Sequence, residues 1–268
     1  MKKRLMAAVL STAMAATMLL TGSISVQAAD AAAANDPAVE LIFTSVSVSG
    51  DSHTEAMYEF ADKVEELSGG SVTCKCYDNG SLFSSENEFD ALLNGDADLA
   101  YISFPTIATQ IPSYSMFASG YLFSSYEHMT SVLNGDIGLN KIRPQIEETL
   151  NIKPLSSFYL GSRVINTREK EINSYDDMNG LLLRMPNSEA WLFLGEALGA
   201  NPTPLSFSEL YTALQTGAVD AQDNPLPSIE SAKFYEVTKY IAITNHVVDS
   251  IMPCINGDTW NSMTEAQQ

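Results

Sequence analysis

Hydrophobic positions in the first part of the chain switch between the two-residue period of a strand and the spacing of a helix. Residues 40 to 48 and 71 to 77 form short, β-rich apolar runs that predict two strands. Ser52 followed by Glu55 predicts a capping box for a helix between them, and Gly69–Gly70 predicts its end. Apolar residues recur at helical spacing in this segment: Met57, Phe60, Ala61, Val64 and Leu67.

An internal echo extends this pattern along the chain. Residues 91 to 98 (ALLNGDAD) resemble residues 213 to 220 (ALQTGAVD). Each copy predicts a helix with a Ser-x-x-Glu start, at 85 to 88 and at 206 to 209, then a glycine stop and a strand. Strands that alternate with helices favour a largely parallel α/β sheet. Such units are common in any α/β protein, but the echo also fits two lobes of one design that face each other across a cleft.

The N-terminal residues have the pattern of a secretory signal peptide. A basic start at residues 2 to 4 precedes an apolar run at 5 to 20, and small residues precede a cleavage site after residue 28. We therefore predict a signal peptide at 1 to 28 and a linker at 29 to 38, and export to the periplasm or another extracytoplasmic space. Ser23 stands where a bacterial lipoprotein carries cysteine, so no lipid anchor is expected.

Composition and charge narrow the function further. The 268 residues include 33 acids and 14 bases, which gives a formal charge of −19. Nucleic acids and anionic lipid surfaces both attract basic proteins, so neither is an expected partner. A hydrophobic fraction of 45% is enough for a folded core.

Three cysteines are too few for a disulfide scaffold. Cys74 and Cys76 lie two positions apart in a predicted strand, so we expect both on one face with Val72, as small core residues. A metal site that joined them to Cys254 would lack the usual zinc spacing. We expect no metal and no cofactor.

One short segment resembles an esterase nucleophile. Gly50-Asp51-Ser52 follows the first predicted strand, as in Gly-Asp-Ser-Leu esterases, but those enzymes need an Asp-x-x-His pair that this chain lacks. Ser52 is therefore expected to be a helix cap, and the esterase is kept as an alternative. We expect His53 on the first helical turn, facing solvent or the cleft, and His128 and His246 in loops or at the surface.

Two arginines end apolar runs. Arg184 follows three leucines, and Arg163 ends a strand-like segment at 159 to 164. A guanidinium cannot lose its charge, so a buried Arg184 needs a partner. That partner is either a carboxylate of this protein or a bound organic acid, held by two parallel hydrogen bonds. Arg143 and Arg168 lie among charged residues and are expected at the surface.

Several blocks occur in one order from about Leu41 to the C-terminus, most densely from Gly161 to His246. They include 161–163 (GSR), 183–186 (LRMP), 198–204 (LGANPTP), 207–211 (FSELY), 220–225 (DAQDNP) and 244–246 (TNH). In this order they resemble the extracytoplasmic solute-binding subunits of tripartite ATP-independent periplasmic (TRAP) transporters. The resemblance implies a two-lobed α/β fold, like that of other periplasmic binding proteins, that closes on its ligand about a hinge.

The same resemblance suggests the domain organisation. We predict lobe I at 39 to 160, lobe II at 161 to 245, and a crossover back to lobe I at 246 to 268. The family continues past Trp260 into long helices that brace both lobes. We therefore expect those C-terminal helices to be missing from this chain, either as a fragment or as a natural truncation, and the chain to be less stable than a complete homologue.

Ligand-binding roles also follow from the resemblance. It implies that Arg184 pairs with a ligand carboxylate, that Asn224 donates to the same group, that Phe207 packs on the ligand and that Arg163 is a second contact. Asp223 stands where the family has glutamate. Lobe I contributes further possible contacts: His53, Ser84, Ser85, Tyr101 and Ser103.

These inferences predict a monomeric, non-catalytic protein that captures a small organic acid and delivers it to TRAP membrane subunits. The acid is expected to be a dicarboxylate, a keto acid or a sugar acid, held by an arginine–carboxylate ion pair. The alternatives are an ABC-type solute-binding protein with the same fold and the secreted esterase. An exported structural protein, the third alternative, would show no closure on a ligand.

Overall fold

A computed structural model describes residues 33 to 268, and one ten-stranded β-sheet runs through the whole of this part of the chain. The predicted signal peptide and the start of the linker lie outside the described residues. The strands are β1 Val39–Thr44, β2 Val72–Tyr77, β3 Leu99–Ile102, β4 Ile152–Pro154, β5 Phe158–Thr167, β6 Leu182–Met185, β7 Asn201–Pro204, β8 Ala221–Pro225, β9 Tyr240–Ala242 and β10 Val248–Asn256.

The α-helices and short helical turns connect these strands. The α-helices are α1 Ser52–Leu67, α2 Glu88–Asn94, α3 Phe104–Ile107, α4 Tyr126–Leu133, α5 Arg143–Leu150, α6 Glu189–Ala197, α7 Phe207–Thr216, α8 Leu226–Ser231 and α9 Gly257–Ser262. Short 3-10 turns lie at Pro112–Ala118, Tyr175–Met178 and Phe234–Glu236, and a π-helical turn lies at Gly138–Ile142.

The sheet is mixed, so the prediction of a largely parallel sheet is wrong at its centre. Its order is β2-β1-β3-β10-β5-β8-β6-β7, with β4 beside β10 and β9 beside β5. The outer groups β2-β1-β3 and β8-β6-β7 are parallel, whereas β10 and β5 run antiparallel to each other and to their neighbours β3 and β8. A chain that crosses the molecule and later returns must run in opposite directions, and that makes the two long central strands antiparallel.

Each half of the sheet is covered on both faces. In the first half, which holds β1, β2 and β3, alternate residues of β3 enter different apolar clusters: Ala100 enters one and Tyr101 the other. In the second half, which holds β6, β7 and β8, the neighbours Val164 and Ile165 of β5 divide in the same way. The molecule therefore has two separately packed halves joined by β5 and β10.

The internal echo is confirmed as local structure. Helices α2 and α7 end at Gly95 and Gly217, whose φ values of 77° and 82° lie in the left-handed region that favours glycine. A strand follows each glycine, and each strand leads into a short helix with proline in its first turn. The polar segment at 222 to 225 belongs to the buried strand β8, which pairs with β5 along its whole length and with β6 at residues 221 and 222.

The cap of α1 is Asp51 rather than Ser52. The Asp51 carboxylate accepts a hydrogen bond from the His53 backbone N–H at 2.9 Å, and Ser52 is the first helical residue. Asp51 also accepts from the Ser231 hydroxyl of α8 at 3.1 Å, which ties α1 to the second half of the molecule. Likewise, α2 begins at Glu88 with Asn87 as its cap, not at Ser85.

Replacement of Asp51 by alanine is expected to destabilise the protein by about 1–2 kcal/mol, because a side-chain cap and an inter-half hydrogen bond are lost together. Replacement of Ser52 by alanine should stay within about 0.5 kcal/mol, the usual range for a site without such contacts. Thermal denaturation of both variants separates the two caps, at about 2–4 °C per kcal/mol. A larger loss of stability in the Ser52 variant than in the Asp51 variant would show that Ser52 carries the cap.

The cysteines are free thiols that pack as small apolar side chains. Cys254 is buried in one cluster of the first half, whereas Cys74 and Cys76 are half-buried beside the other. Their partial exposure follows from their place on β2, the edge strand of the sheet. No group of three or more metal-binding side chains occurs among residues 33 to 268.

Candidate functional site

A cavity of about 410 Å³ lies between the two halves of the molecule. This volume falls in the range that small-molecule sites occupy. It brings together three of the predicted site residues, Ser85, Ser103 and Arg163. The first half supplies one wall, which includes Ser85, Glu86, Phe89, Asp90, Ser103, Thr106, Thr109 and Gln110, and the opposite wall includes Leu160, Arg163, Pro186, Asn187, Ser188, Trp191 and Asp249.

Arg163 projects from β5, where this strand meets β8 and β10. Its side chain is only 3% exposed and forms ion pairs with Asp223 and with Asp249, the latter at 2.7 Å from Nη1 to Oδ2. The guanidinium lies over the Trp191 ring, 4.4 Å from its centroid. Burial acts to lower the pKa of Arg163, but the two aspartates outweigh it and raise the pKa above its usual value. The charge of Arg163 is thus already balanced by the protein's own carboxylates.

Asp223 links Arg163 to His246. The His246 Nε2 lies 2.8 Å from Asp223 Oδ2, and its Nδ1 lies 2.7 Å from the Thr244 hydroxyl. His246 lies in a loop, as one of the two expectations had it, but not at the surface: the ring is fully buried, and both of its nitrogens have partners inside the protein. Burial acts to raise the pKa of Asp223, but Arg163 and the hydrogen bond to His246 outweigh it, so the pKa lies below its usual range.

Arg184, on β6, is buried and has no ion-pair partner among the residues that the structure describes. It is 2% exposed, and its Nε donates to the Leu205 carbonyl at 2.8 Å. Its guanidinium lies 5.9 Å from the centroid of the Phe207 ring. Burial and the positive charge of Arg163 lower the pKa of Arg184 to about 9, so the group stays protonated at neutral pH but its charge is poorly stabilised. Among residues 33 to 268 the internal carboxylate considered as its partner is not found.

Asn224 and Phe207 flank the two arginines. Asn224 lies in β8, where its Oδ1 accepts from Arg163 Nη2 at 3.4 Å and its Nδ2 donates to Gln222 at 2.6 Å. Phe207 opens α7 and borders a second cavity of about 400 Å³, also between the halves, together with Val48 and Tyr211. The second-half residues predicted for the site therefore form one connected group, but only Arg163 among them lines the larger cavity.

The remaining first-half candidates lie beside the cavity or away from it. His53 lies on the first turn of α1, as expected, but it is buried rather than facing solvent; its ring meets Asp51 and packs edge-on against Tyr101. The Tyr101 hydroxyl donates to the His53 carbonyl at 3.0 Å, and burial raises the pKa of Tyr101. Ser84 contacts Asn87 rather than the cavity lining. Ser103 caps α3 and reaches the cavity wall.

The geometry around Ser52 does not form a catalytic triad. Ser52 Oγ and Asp51 Oδ1 approach the same atom, Nδ1 of His53, at 3.4 and 3.1 Å. A triad needs the serine on one ring nitrogen and the acid on the other, so that the ring can pass a proton between them. This arrangement favours the structural role of Asp51 as a cap.

Sequence reasoning missed the aspartate partners of Arg163. Asp249 stands inside the apolar run at 247 to 252, which is the same signal that singled out Arg184. Asp223 stands in one of the blocks that carry the family resemblance. Trp191 and Glu86, which also line the cavity, have no comparable signal in the sequence.

Comparison with known proteins agrees with this architecture. The family model described as bacterial extracellular solute-binding protein, family 7, matches residues 43 to 268. The sialic acid-binding periplasmic protein SiaP of Vibrio cholerae is 34% identical over 208 residues, which are 78% of this chain and 64% of that protein. A solute-binding protein of Roseobacter denitrificans is 34% identical over 213 residues, 80% of this chain and 65% of its own length. The chain thus spans just under two thirds of these relatives.

Solved structures show the same fold. A TRAP periplasmic solute-binding protein from Roseobacter denitrificans with bound 3-deoxy-D-manno-oct-2-ulosonic acid superposes with a TM-score of 0.81 at 39% identity, over 86% of this chain and 76% of that one. The sugar acid-binding protein of Advenella mimigardefordensis with galactonate gives 0.82 at 30%, over 87% and 74%. The predicted two-lobed fold is confirmed, while its residue boundaries stay a prediction.

The relatives also decide between the classes of function considered above. They are solute-binding proteins of transporters, not enzymes, so the esterase alternative is set aside, and the matched family favours a TRAP-type over an ABC-type protein. Within residues 33 to 268, no helix combines the length and the apolar character that crossing a membrane requires.

Proposed function

Because the chain belongs to family 7 of the bacterial extracellular solute-binding proteins, we propose that it binds a small organic acid between its two lobes and delivers it to TRAP membrane subunits. The observation that carries this proposal is Arg184, a buried guanidinium without an ion-pair partner among the described residues. A ligand carboxylate would supply the missing countercharge and accept two parallel hydrogen bonds. Two closed lobes would exclude water and strengthen that pair.

Sugar acids are the ligand class that the relatives favour. The relatives include a sialic acid-binding protein, a 2,3-diketo-L-gulonate-binding protein of Escherichia coli and a structure with bound L-galactonate. Dicarboxylates also occur, in a C4-dicarboxylate-binding protein of Bacillus subtilis and in a structure with bound succinate. The proposed class is therefore a small organic acid, with sugar acids as its main members.

Within this proposal each site residue contacts a different part of the ligand. Arg184 holds the carboxylate, Asn224 donates to it from Nδ2, and Phe207 packs on the carbon chain. Arg163 borders the cavity and contacts the ligand while its own aspartates hold it in place. Ser85 and Ser103 bind hydroxyl groups from the opposite wall. The protein works as an exported monomer, without a cofactor.

A thermal-shift experiment tests the proposal with sugar acids and with a sugar alcohol that lacks the carboxylate. Galactonate or 3-deoxy-D-manno-oct-2-ulosonic acid at a hundred times its Kd is expected to add about 2.7 kcal/mol to stability. At about 2–4 °C per kcal/mol, the melting temperature rises by several degrees. Galactitol, which replaces the carboxylate of galactonate by an alcohol, should give no shift. An equal shift with galactitol, or no shift with any acid, would contradict carboxylate capture.

A further inference from the structure

The charges around the cleft are sufficient for one ligand carboxylate and unfavourable to a second. We propose that the site selects monocarboxylates with hydroxyl-bearing chains and rejects dicarboxylates, and that Glu86 and Asp90 on the lobe I wall enforce this choice. The inference rests on the proposed function, since it takes Arg184 as the carboxylate-binding group. It decides between the sugar acids and the dicarboxylates that the relatives bind.

The two buried arginines differ in how far the protein's own carboxylates balance their charge. Arg163 is paired with Asp223 and Asp249, so the protein already supplies two carboxylates for this one guanidinium. Arg184 has none among the described residues. A ligand with one carboxylate therefore completes the pairing, whereas a second carboxylate would have to compete with a buried aspartate for Arg163.

The lobe I wall of the cavity carries negative charge. Glu86 and Asp90 both line the cavity and are exposed, and neither forms a direct ion pair with a lysine or arginine among residues 33 to 268. The charge of Glu86 acts on Arg184 from a distance and favours its protonated form. The Glu86 carboxylate accepts a hydrogen bond from the Ser85 hydroxyl at 3.0 Å. Asp249 adds a third carboxylate to the lining. A second ligand carboxylate in this cavity would face like charges, which weakens binding.

The same wall can bind hydroxyl groups of a ligand. Ionised carboxylates are strong acceptors for hydroxyl donors, so Glu86 and Asp90 suit the hydroxyl groups of a polyhydroxylated chain. The side chains of Ser103, Thr106 and Gln110 line the cavity beside them and can both donate and accept. A sugar acid would then bind Arg184 with its carboxylate and this wall with its hydroxyl groups.

Matched pairs of acids test the inference by titration calorimetry at neutral pH. Galactonate and galactarate share one carbon chain, as do threonate and tartrate, but the second member of each pair carries a carboxylate at both ends. We expect the monoacid of a pair to bind at least about 30-fold more tightly. The double variant Glu86→Gln/Asp90→Asn should bind the diacid about tenfold more tightly than wild type does. The difference in affinity between monoacid and diacid then becomes smaller.

A control pair and the opposite outcomes separate this inference from the proposed function. The variant Glu148→Gln/Asp176→Asn removes the same charge from two exposed positions away from the cavity. It should leave the difference in affinity between monoacid and diacid unchanged. A diacid that binds wild type as tightly as its monoacid, and loses binding in Arg184→Met, would overturn the inference while the proposed function stands. If the difference in affinity between monoacid and diacid is unchanged in Glu86→Gln/Asp90→Asn, these two residues do not enforce the choice of ligand.

Discussion

Arg184→Met is expected to abolish acid binding while the ligand-free protein stays as stable as wild type or becomes more stable. Methionine keeps the length of the apolar stem but removes the charge. Removing one partner of a buried, hydrogen-bonded charge pair costs about 2–5 kcal/mol, which corresponds to a loss of affinity of roughly 30- to 5000-fold. Calorimetric titration with galactonate or another acid that binds wild type measures this loss.

The stability expected of the ligand-free Arg184→Met variant follows from the same geometry. Without ligand, the Arg184 guanidinium makes one hydrogen bond with the described protein, to the Leu205 carbonyl, and its charge is buried beside that of Arg163. A buried charge without a partner is costly, and replacing it by an apolar side chain is often neutral or stabilising. Urea denaturation of the ligand-free variant measures this effect.

Arg168→Met is the matched control, because it removes the same charge from a half-buried arginine near Gly217 and Asp220, away from the cleft. Its affinity for the acid should equal that of wild type. If Arg184→Met binds the acid within about threefold of wild type, the carboxylate is held elsewhere. If the ligand-free variant instead loses several kcal/mol, Arg184 has a structural role that its contacts in this structure do not explain.

Arg184 and Arg163 could be found from the sequence because each places a charge at the end of an apolar run. That signal is local, because a buried apolar strand also buries the arginine at its end. The pairing of Arg163 with Asp223 and Asp249 could not be found in this way, because the two aspartates lie 60 and 86 residues further along the chain. Their pairing depends on β5, β8 and β10 becoming neighbours, which no local pattern specifies.

Strand direction and the helix cap were missed for related reasons. A two-residue hydrophobic period predicts a strand but is the same for parallel and antiparallel neighbours, so β10 and β5 gave no sign of their direction. At the start of α1, Asp51 and Ser52 are both good caps by residue type. The contact of Asp51 with Ser231, 180 residues away, favours the aspartate, and only the folded chain brings these residues together.

Asp223→Asn is expected to destabilise the protein by about 3–5 kcal/mol, since it breaks a buried ion pair and leaves Arg163 less compensated. Asp249→Asn is the matched control at the same guanidinium, and it should cost no more than about 1 kcal/mol. The two differ because Asp223 serves both Arg163 and His246, whereas burial raises the pKa of Asp249 above its usual value in spite of Arg163. Ionised Asp249 therefore adds little net stability.

The pH dependence of the two variants distinguishes the two carboxylates independently. The lowered pKa of Asp223 means that its ionised form stabilises the fold above the pKa of an unfolded aspartate, about 3.9, and that this contribution is lost as the pH falls through the folded value. The cost of Asp223→Asn should thus be largest at neutral pH and shrink in acid. The raised pKa of Asp249 has the opposite sign: its ionisation costs stability at neutral pH, and the cost disappears as the pH falls below about 3.9. Urea denaturation of both variants from pH 7 to pH 3 measures the two trends. Equal losses of unfolding free energy at pH 7 would mean that both aspartates stabilise Arg163 equally.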